Sequence, residues 1–171
     1  AVRHVLVDAA AIDRTPKLYI GGKQVRPDGG YSREIWIGRK GNETLLGVVP
    51  EGNRKDIRNA VEAARKATGW ERQSAHGRAQ VLYYLAENTQ AHAERLIATL
   101  TPFAGEARAR LELQCSVDRL LAFAAAADKF EGRVHQPPGN VVVMALNEPV
   151  GVIGQIAPDD WPLLGMVSML A

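Results

Sequence analysis

The spacing of apolar positions changes along the chain, and each change predicts a different element. Lys17–Ile20 and Lys23–Val25 flank Gly21-Gly22, two glycines able to take the positive φ of a hairpin turn, so two paired strands are expected. Tyr31–Ile37 and Thr44–Val49 predict two more, with Gly38–Asn42 as the loop between them. From Arg54 the period lengthens. Ile57, Ala60, Val61, Ala64 and Ala67 form one helical stripe, with Asn53 as N-cap and Gly69 as stop after Thr68. A second helix begins after Ser74, carries Val81, Leu82, Leu85 and Ala86, and continues toward Leu96, Ile97 and Leu100 with a break near Asn88. A third covers Glu106 to Lys129, turning Leu113, Val117, Leu120, Leu121, Ala124 and Ala127 inward, and Gly132 marks its stop.

Gln136-Pro-Pro-Gly139 cannot be helical, and the β-branched run within Asn140–Asn147 predicts an extended strand or arm. Val150–Ile156 then reads as a short, fully buried strand bounded by Pro149 and Pro158, and Trp161–Ala171 as an apolar helix. Strand followed by helix is the first half of a βαβ unit, whose second parallel strand does not follow. The fold class expected is therefore α/β: an N-terminal β-hairpin and helices, an extended arm strand, and the incomplete start of a parallel-sheet, Rossmann-like cofactor domain. Residues 1–16 stand apart as an N-terminal extension. Because Ala1 is not methionine and the last helix has no closing cap, the sequence reads as a fragment, or as a chain that needs a partner.

Composition narrows the function classes. Of 171 residues, 46% are hydrophobic and 23% charged, which suits one globular domain and excludes a disordered chain. Lys plus Arg number 21 against 19 acidic residues, too small an excess for a phosphate-tracking stripe, so no nucleic-acid partner is expected. The longest apolar run, 162–171, is far short of the roughly 20 residues that cross a bilayer, so no membrane partner is expected either. The single cysteine, Cys115, excludes an internal disulfide framework and any multi-cysteine metal site. His4, His76, His92 and His135 show no metal-pair spacing, so no metal is expected. With no secretory signal at the start, a cytoplasmic protein is the expectation.

Candidate chemistry concentrates near the end. Cys115 falls in a helix interior, where neither a helix N-terminus nor a cation lowers a thiol pKa. Gly151 and Gly154 lie within the strand-like run and do not make the G-x-G-x-x-G fingerprint. The turn Ala157-Pro-Asp-Asp-Trp-Pro162 follows a strand and precedes a helix, where open α/β sheets place ligands. Two readings of Asp160 stand there: a site residue, or simply the N-cap of the last helix with Pro162 in its first turn. Asp159-Asp160 as an acid/base or cation pair lacks a third ligand.

At this turn the order of segments resembles the N-terminal portion of the aldehyde dehydrogenase superfamily. Tyr19-Ile-Gly-Gly-Lys23 resembles the family's opening hairpin; Asp56–Arg65, Trp70 and Arg78–Glu87 resemble its first two helices. The Ala-rich run into Asp128-Lys-Phe-Glu-Gly132 is similar to the next helix, and Glu148-Pro-Val-Gly-Val-Ile-Gly-Gln-Ile156 is the most specific segment, leading in the family into a Pro-Trp-Asn turn. The resemblance implies that 17–171 is a truncated cofactor-binding region with 140–149 as oligomerisation arm. It implies oxidation of an aldehyde to a carboxylic acid with NAD or NADP, by a cysteine thiolate and a water-activating glutamate. It further implies that Ile156, Ala157, Pro158 and Asp159 line the cofactor site, and that Asp160 stands at the family's oxyanion Asn position. An ionised Asp160 has no N–H to donate and would repel a developing oxyanion.

The family's nucleophilic Cys, its Glu and its cofactor-binding Lys fall in later segments, so neither activity nor cofactor binding is expected of these residues alone. The implied partners are the rest of such a chain or a second polypeptide, in a homo-oligomer. Two functional readings follow: part of an NAD(P)-dependent aldehyde dehydrogenase, or a degenerate, non-catalytic domain of that type used for assembly, similar to the second module of the tandem, family 16-type members. An autonomous small α/β binding module is a third, which the unfinished last helix argues against.

Overall fold

The computed structural model describes residues 16–39 and 41–171. The proposed 1–16 extension and His4 therefore lie almost wholly outside the described residues. The chain divides into two compact units, with the boundary between Ala63 and Ala64.

The first unit is built from two antiparallel hairpins and the start of a helix. β1 (Leu18–Ile20) pairs with β2 (Lys23–Val25) as the hydrophobic pattern predicts. Gly21 and Gly22 both sit at positive φ, 63° and 79°, the conformation a two-residue hairpin turn demands. β3 (Ser32–Arg39) pairs with β4 (Asn42–Pro50), each strand running longer than its apolar core, with a bulge where the register slips between Ile35 and Trp36.

The helix α1 (Arg54–Lys66) is capped as expected: Asn53 Oδ1 accepts the backbone N–H of Lys55 at 2.8 Å and of Asp56 at 3.2 Å. Asp56 reaches back to the Asn53 N–H at 2.9 Å, which completes a reciprocal capping box. Its carboxylate also accepts the N–H of Asp28 at 3.1 and 3.2 Å, so one buried side chain ties the 28–30 turn to the helix start. Lys55 Nζ donates to Asp28 Oδ1 at 2.5 Å and holds that carboxyl below the usual Asp range. Replacing Asp56 by Ala removes the buried acceptor shared by the N–H groups of Asn53 and Asp28, and a loss of about 1 kcal/mol is expected in denaturant unfolding.

The second unit is helical. α2 (Thr68–Glu71), α3 (Ala75–Ala91), α4 (Ala93–Ala104), α5 (Glu106–Ala127) and α6 (Pro162–Leu170) are accompanied by β5 (Arg133–His135) and β6 (Val143–Ala145), which pair antiparallel. Ser74 caps α3 by accepting the Gly77 N–H at 3.0 Å. Two apolar clusters form the core. Leu82 and Ala86 of α3 meet Val117, Leu120 and Ala124 of α5 and Val167 of α6. Ile97 and Leu100 of α4 meet Ala109 and Leu113 of α5. Leu163, in the first turn of α6, packs on both, which seats that helix end on the α4–α5 pair.

Several expectations are corrected. Gly69 does not stop the first helix; it lies inside α2, and α1 ends at Lys66. The break expected at Asn88 falls at His92, since the Asn88 side chain and carbonyl are absorbed in the α3 ladder through Tyr84 O and the His92 ring. Leu121 is exposed, because α5 offers α3 the 117/120/124 face. β5 is a strand that periodicity did not mark.

The largest correction concerns Val150–Ile156. It is not a strand and it is not buried: Val150 is 88% and Ile156 94% exposed. A parallel strand needs neighbours on its edges, and no described strand lies beside this segment. The class is mixed α/β as expected, with every described sheet antiparallel and two-stranded.

Candidate functional site

The candidate turn, 156–161, is fixed by anchors from three directions. From one side comes α6 itself. Trp161, the residue before it, takes a left-handed conformation at φ 57°, ψ 57°, and Pro162 opens the helix at a position where no N–H is needed. Pro158 folds back onto the helix at Gly165, where an added Cβ would lie 2.6 Å from Pro158 Cγ. A glycine is required there because the opposing atoms belong to a rigid ring.

From the second side comes Arg108 of α5. Its Nη2 donates to Asp160 Oδ1 at 3.4 Å, and its guanidinium carbon stands 4.5 Å from the Trp161 ring centroid. Asp160 is largely exposed, so the ion pair adds little stability, but together the two contacts orient consecutive side chains of the turn. From the third side comes Glu112, one helical turn further along α5 and fully buried. Its Oε1 accepts the N–H of Leu163 at 2.7 Å and of Leu164 at 3.1 Å.

Asp160 is therefore not the N-cap of α6. The helix has no cap from its own flanking residues, and its first free N–H groups go to Glu112 across the fold. The left-handed turn at Trp161 points Asp160 to Arg108 instead.

Ile156, Ala157, Pro158, Asp159 and Asp160 are brought together on one exposed stretch. Just upstream, Gln155 Nε2 donates to the Met169 carbonyl, tying the lead-in to the far end of α6. The segment carries exposed apolar surface and two carboxylates; no Lys or Arg lies within 150–160. That set of groups suits a wall against the face of a ring, and it does not supply the donors of a pyrophosphate cradle. Cys115 sits in the interior of α5, half-buried, away from any helix N-terminus. Among the described residues no group of three or more His, Cys, Asp or Glu is placed to hold a metal ion, and no helix is long and apolar enough to cross a membrane.

The aldehyde dehydrogenase family model matches residues 32–171. The chain belongs to that family. Among similar proteins are an Arabidopsis thaliana mitochondrial aldehyde dehydrogenase, family 2 member B4, 35% identical over 70% of this chain and 23% of its own length, and the human retinaldehyde dehydrogenase 3, 35% identical over 72% of this chain and 25% of its own. The crystal structure of betaine aldehyde dehydrogenase from Staphylococcus aureus in complex with NAD+ superimposes with a TM-score of 0.83 at 27% identity, over 92% of this chain and 32% of that one. The aldehyde dehydrogenase-like chain thus spans about a quarter to a third of the length of these relatives.

Arg108, Glu112 and Gly165 are the site residues that sequence patterning missed. Glu112 had a visible signal: it is an acid on the α5 face that also carries Ala109, Leu113, Ser116 and Leu120.

Proposed function

We propose that these residues are the front part of an NAD(P)-dependent aldehyde dehydrogenase that converts an aldehyde to a carboxylic acid. The observation that carries this reading is the anchored turn at the start of α6, in a chain whose family and fold match an enzyme solved with NAD+. When bound, the nicotinamide accepts the hydride lost by the aldehyde carbon. Ile156, Ala157 and Pro158 would form the apolar wall against that cofactor, with Asp159 at its edge. Residue 160 stands beside the developing oxyanion. The thiolate and the water-activating carboxylate come from segments beyond these residues, since Cys115 is the sole cysteine and is held within α5. On this reading residues 1–171 alone turn nothing over.

The arm role of 140–149 belongs to the same proposal. β6 is exposed throughout, as are Val141, Val142 and Leu146 around it, which suits a strand that docks against another copy in a homo-oligomer. A cytoplasmic location is also proposed, with relatives that include the mouse cytosolic aldehyde dehydrogenase 1.

One observation favours a second reading. The Asp160 carboxylate is already engaged by Arg108 and brings no N–H to an oxyanion, which suits a degenerate, non-catalytic domain used for assembly. Aldehyde-dependent reduction of NAD or NADP by the complete protein separates the two. Turnover supports the enzyme; absence of both turnover and nucleotide binding supports the assembly domain.

A further inference from the structure

We infer that Glu112 is the positioning residue of the 158–161 turn: a buried α5 carboxylate that caps α6 across the fold and so fixes where residue 160 stands. This rests on the reading of that turn as part of a dehydrogenase site.

Three observations carry it. Glu112 is fully buried, yet its Oε2 has no hydrogen-bond partner among the described residues, so the side chain is not held for the sake of its own satisfaction. An acid in that position costs desolvation that a leucine of similar size would avoid, and a core selected for stability alone would be better served by the apolar residue. What the acid supplies is an acceptor at the positive end of α6, where Pro162 contributes no N–H and the next two donors, of Leu163 and Leu164, both converge on Oε1.

The consequence reaches the turn through covalent geometry. Leu163 is two residues from Trp161 and three from Asp160, and it is wedged between the two apolar clusters. With Leu163 N–H pinned to α5, the left-handed Trp161 sets the direction of Asp160, and the same first helical turn presents Gly165 to Pro158. Arg108, one turn earlier on the same α5 face, orients the Asp160 and Trp161 side chains but bonds no backbone of the turn. Glu112 alone among these anchors holds the main chain at the helix start.

The test uses the complete protein with Glu112→Leu and Glu112→Gln, read by amide hydrogen exchange and by steady-state kinetics. Glu112→Gln keeps a carbonyl acceptor at Oε1; Glu112→Leu keeps volume and removes the acceptor. With Glu112→Leu, exchange at Leu163 and Leu164 is expected to quicken about ten-fold or more, while the α3 and α5 amides keep their protection. The same variant should lose about ten-fold or more in kcat with the aldehyde KM nearly unchanged, as expected when the 156–159 wall no longer holds the bound cofactor in line for hydride transfer. Glu112→Gln should restore both readouts to near the wild-type values.

The inference is overturned if Glu112→Leu leaves exchange at 163–164 and kcat as they were. It is equally overturned if α3 and α5 lose protection in step with α6, which is a packing role, or if Gln behaves as Leu. If the wild-type protein oxidises no aldehyde, the proposed function falls, and exchange at Leu163 and Leu164 still decides the role of Glu112.

Discussion

Replacing Asp160 by Asn in the complete protein should raise kcat on the order of 100-fold, with little change in KM for the aldehyde. A single preorganised oxyanion donor contributes on the order of 3 kcal/mol to the transition state. Asp160 supplies none of this, because its carboxylate oxygens accept hydrogen bonds and do not give them. The amide of Asn fits the same volume and brings two N–H donors. The variant gives up only the contact from Arg108, an ion pair at 3.4 Å with an exposed acid, which is worth about 0–1 kcal/mol. Arg108 retains its position over the Trp161 ring and can donate to the Asn carbonyl instead. The gain therefore far exceeds the loss. Steady-state kinetics with a panel of aldehydes gives the measurement. An unchanged kcat in a protein that does turn over would place residue 160 away from the reacting oxygen.

The second large effect concerns the platform beneath the turn. Leu120 is fully buried at the centre of α5, among Leu82 and Ala86 of α3, Val117 and Ala124 of its own helix, and Val167 of α6. Truncation to Ala removes apolar surface and leaves a void that the neighbouring helices close only in part. A loss of about 2–5 kcal/mol is expected. Because Val167 shares that cluster, the seat of α6 is loosened together with the α3–α5 packing. Urea unfolding should show a lower midpoint at unchanged slope. A midpoint within experimental error of wild type would mean that the helices collapse around the void without cost.

Much of the scaffold was legible in the hydrophobic pattern, and the reasons are local. Gly21-Gly22 can close a tight turn wherever it occurs, and both hairpins formed where the strand signals stood. Asn53 and Ser74 cap α1 and α3 through bonds made within three residues of themselves. Leu113, Val117, Leu120 and Ala124 lie on one face of one helix, so their burial follows from periodicity. The errors arose where an element depends on something distant. Val150–Ile156 has the composition of a buried parallel strand, but a strand exists only with a neighbour, and no described strand lies beside it. Gly69 resembles a helix stop, yet its free backbone also tolerates the short turn of α2.

The site divides in the same way. For the 156–161 turn the family likeness was legible, because the order of segments leading to Pro158 resembles the family the chain belongs to. Its support was not. One of the two readings of Asp160 is a local cap, as caps usually are, whereas the real cap arrives from a residue 51 positions earlier. A glutamate on an otherwise apolar helix face is the trace such an arrangement leaves in a sequence. Its partner, a pair of backbone N–H groups, leaves none.

The turn at 156–160, serving as a wall of the cofactor site, is the centre of the proposed function. Hydrogen exchange of the complete protein, with and without NAD or NADP, tests this directly. Binding should slow exchange in the peptide covering 153–161, which is exposed throughout its approach to α6, and leave the β3–β4 hairpin unchanged. Nucleotide binding that leaves 153–161 untouched would contradict the account.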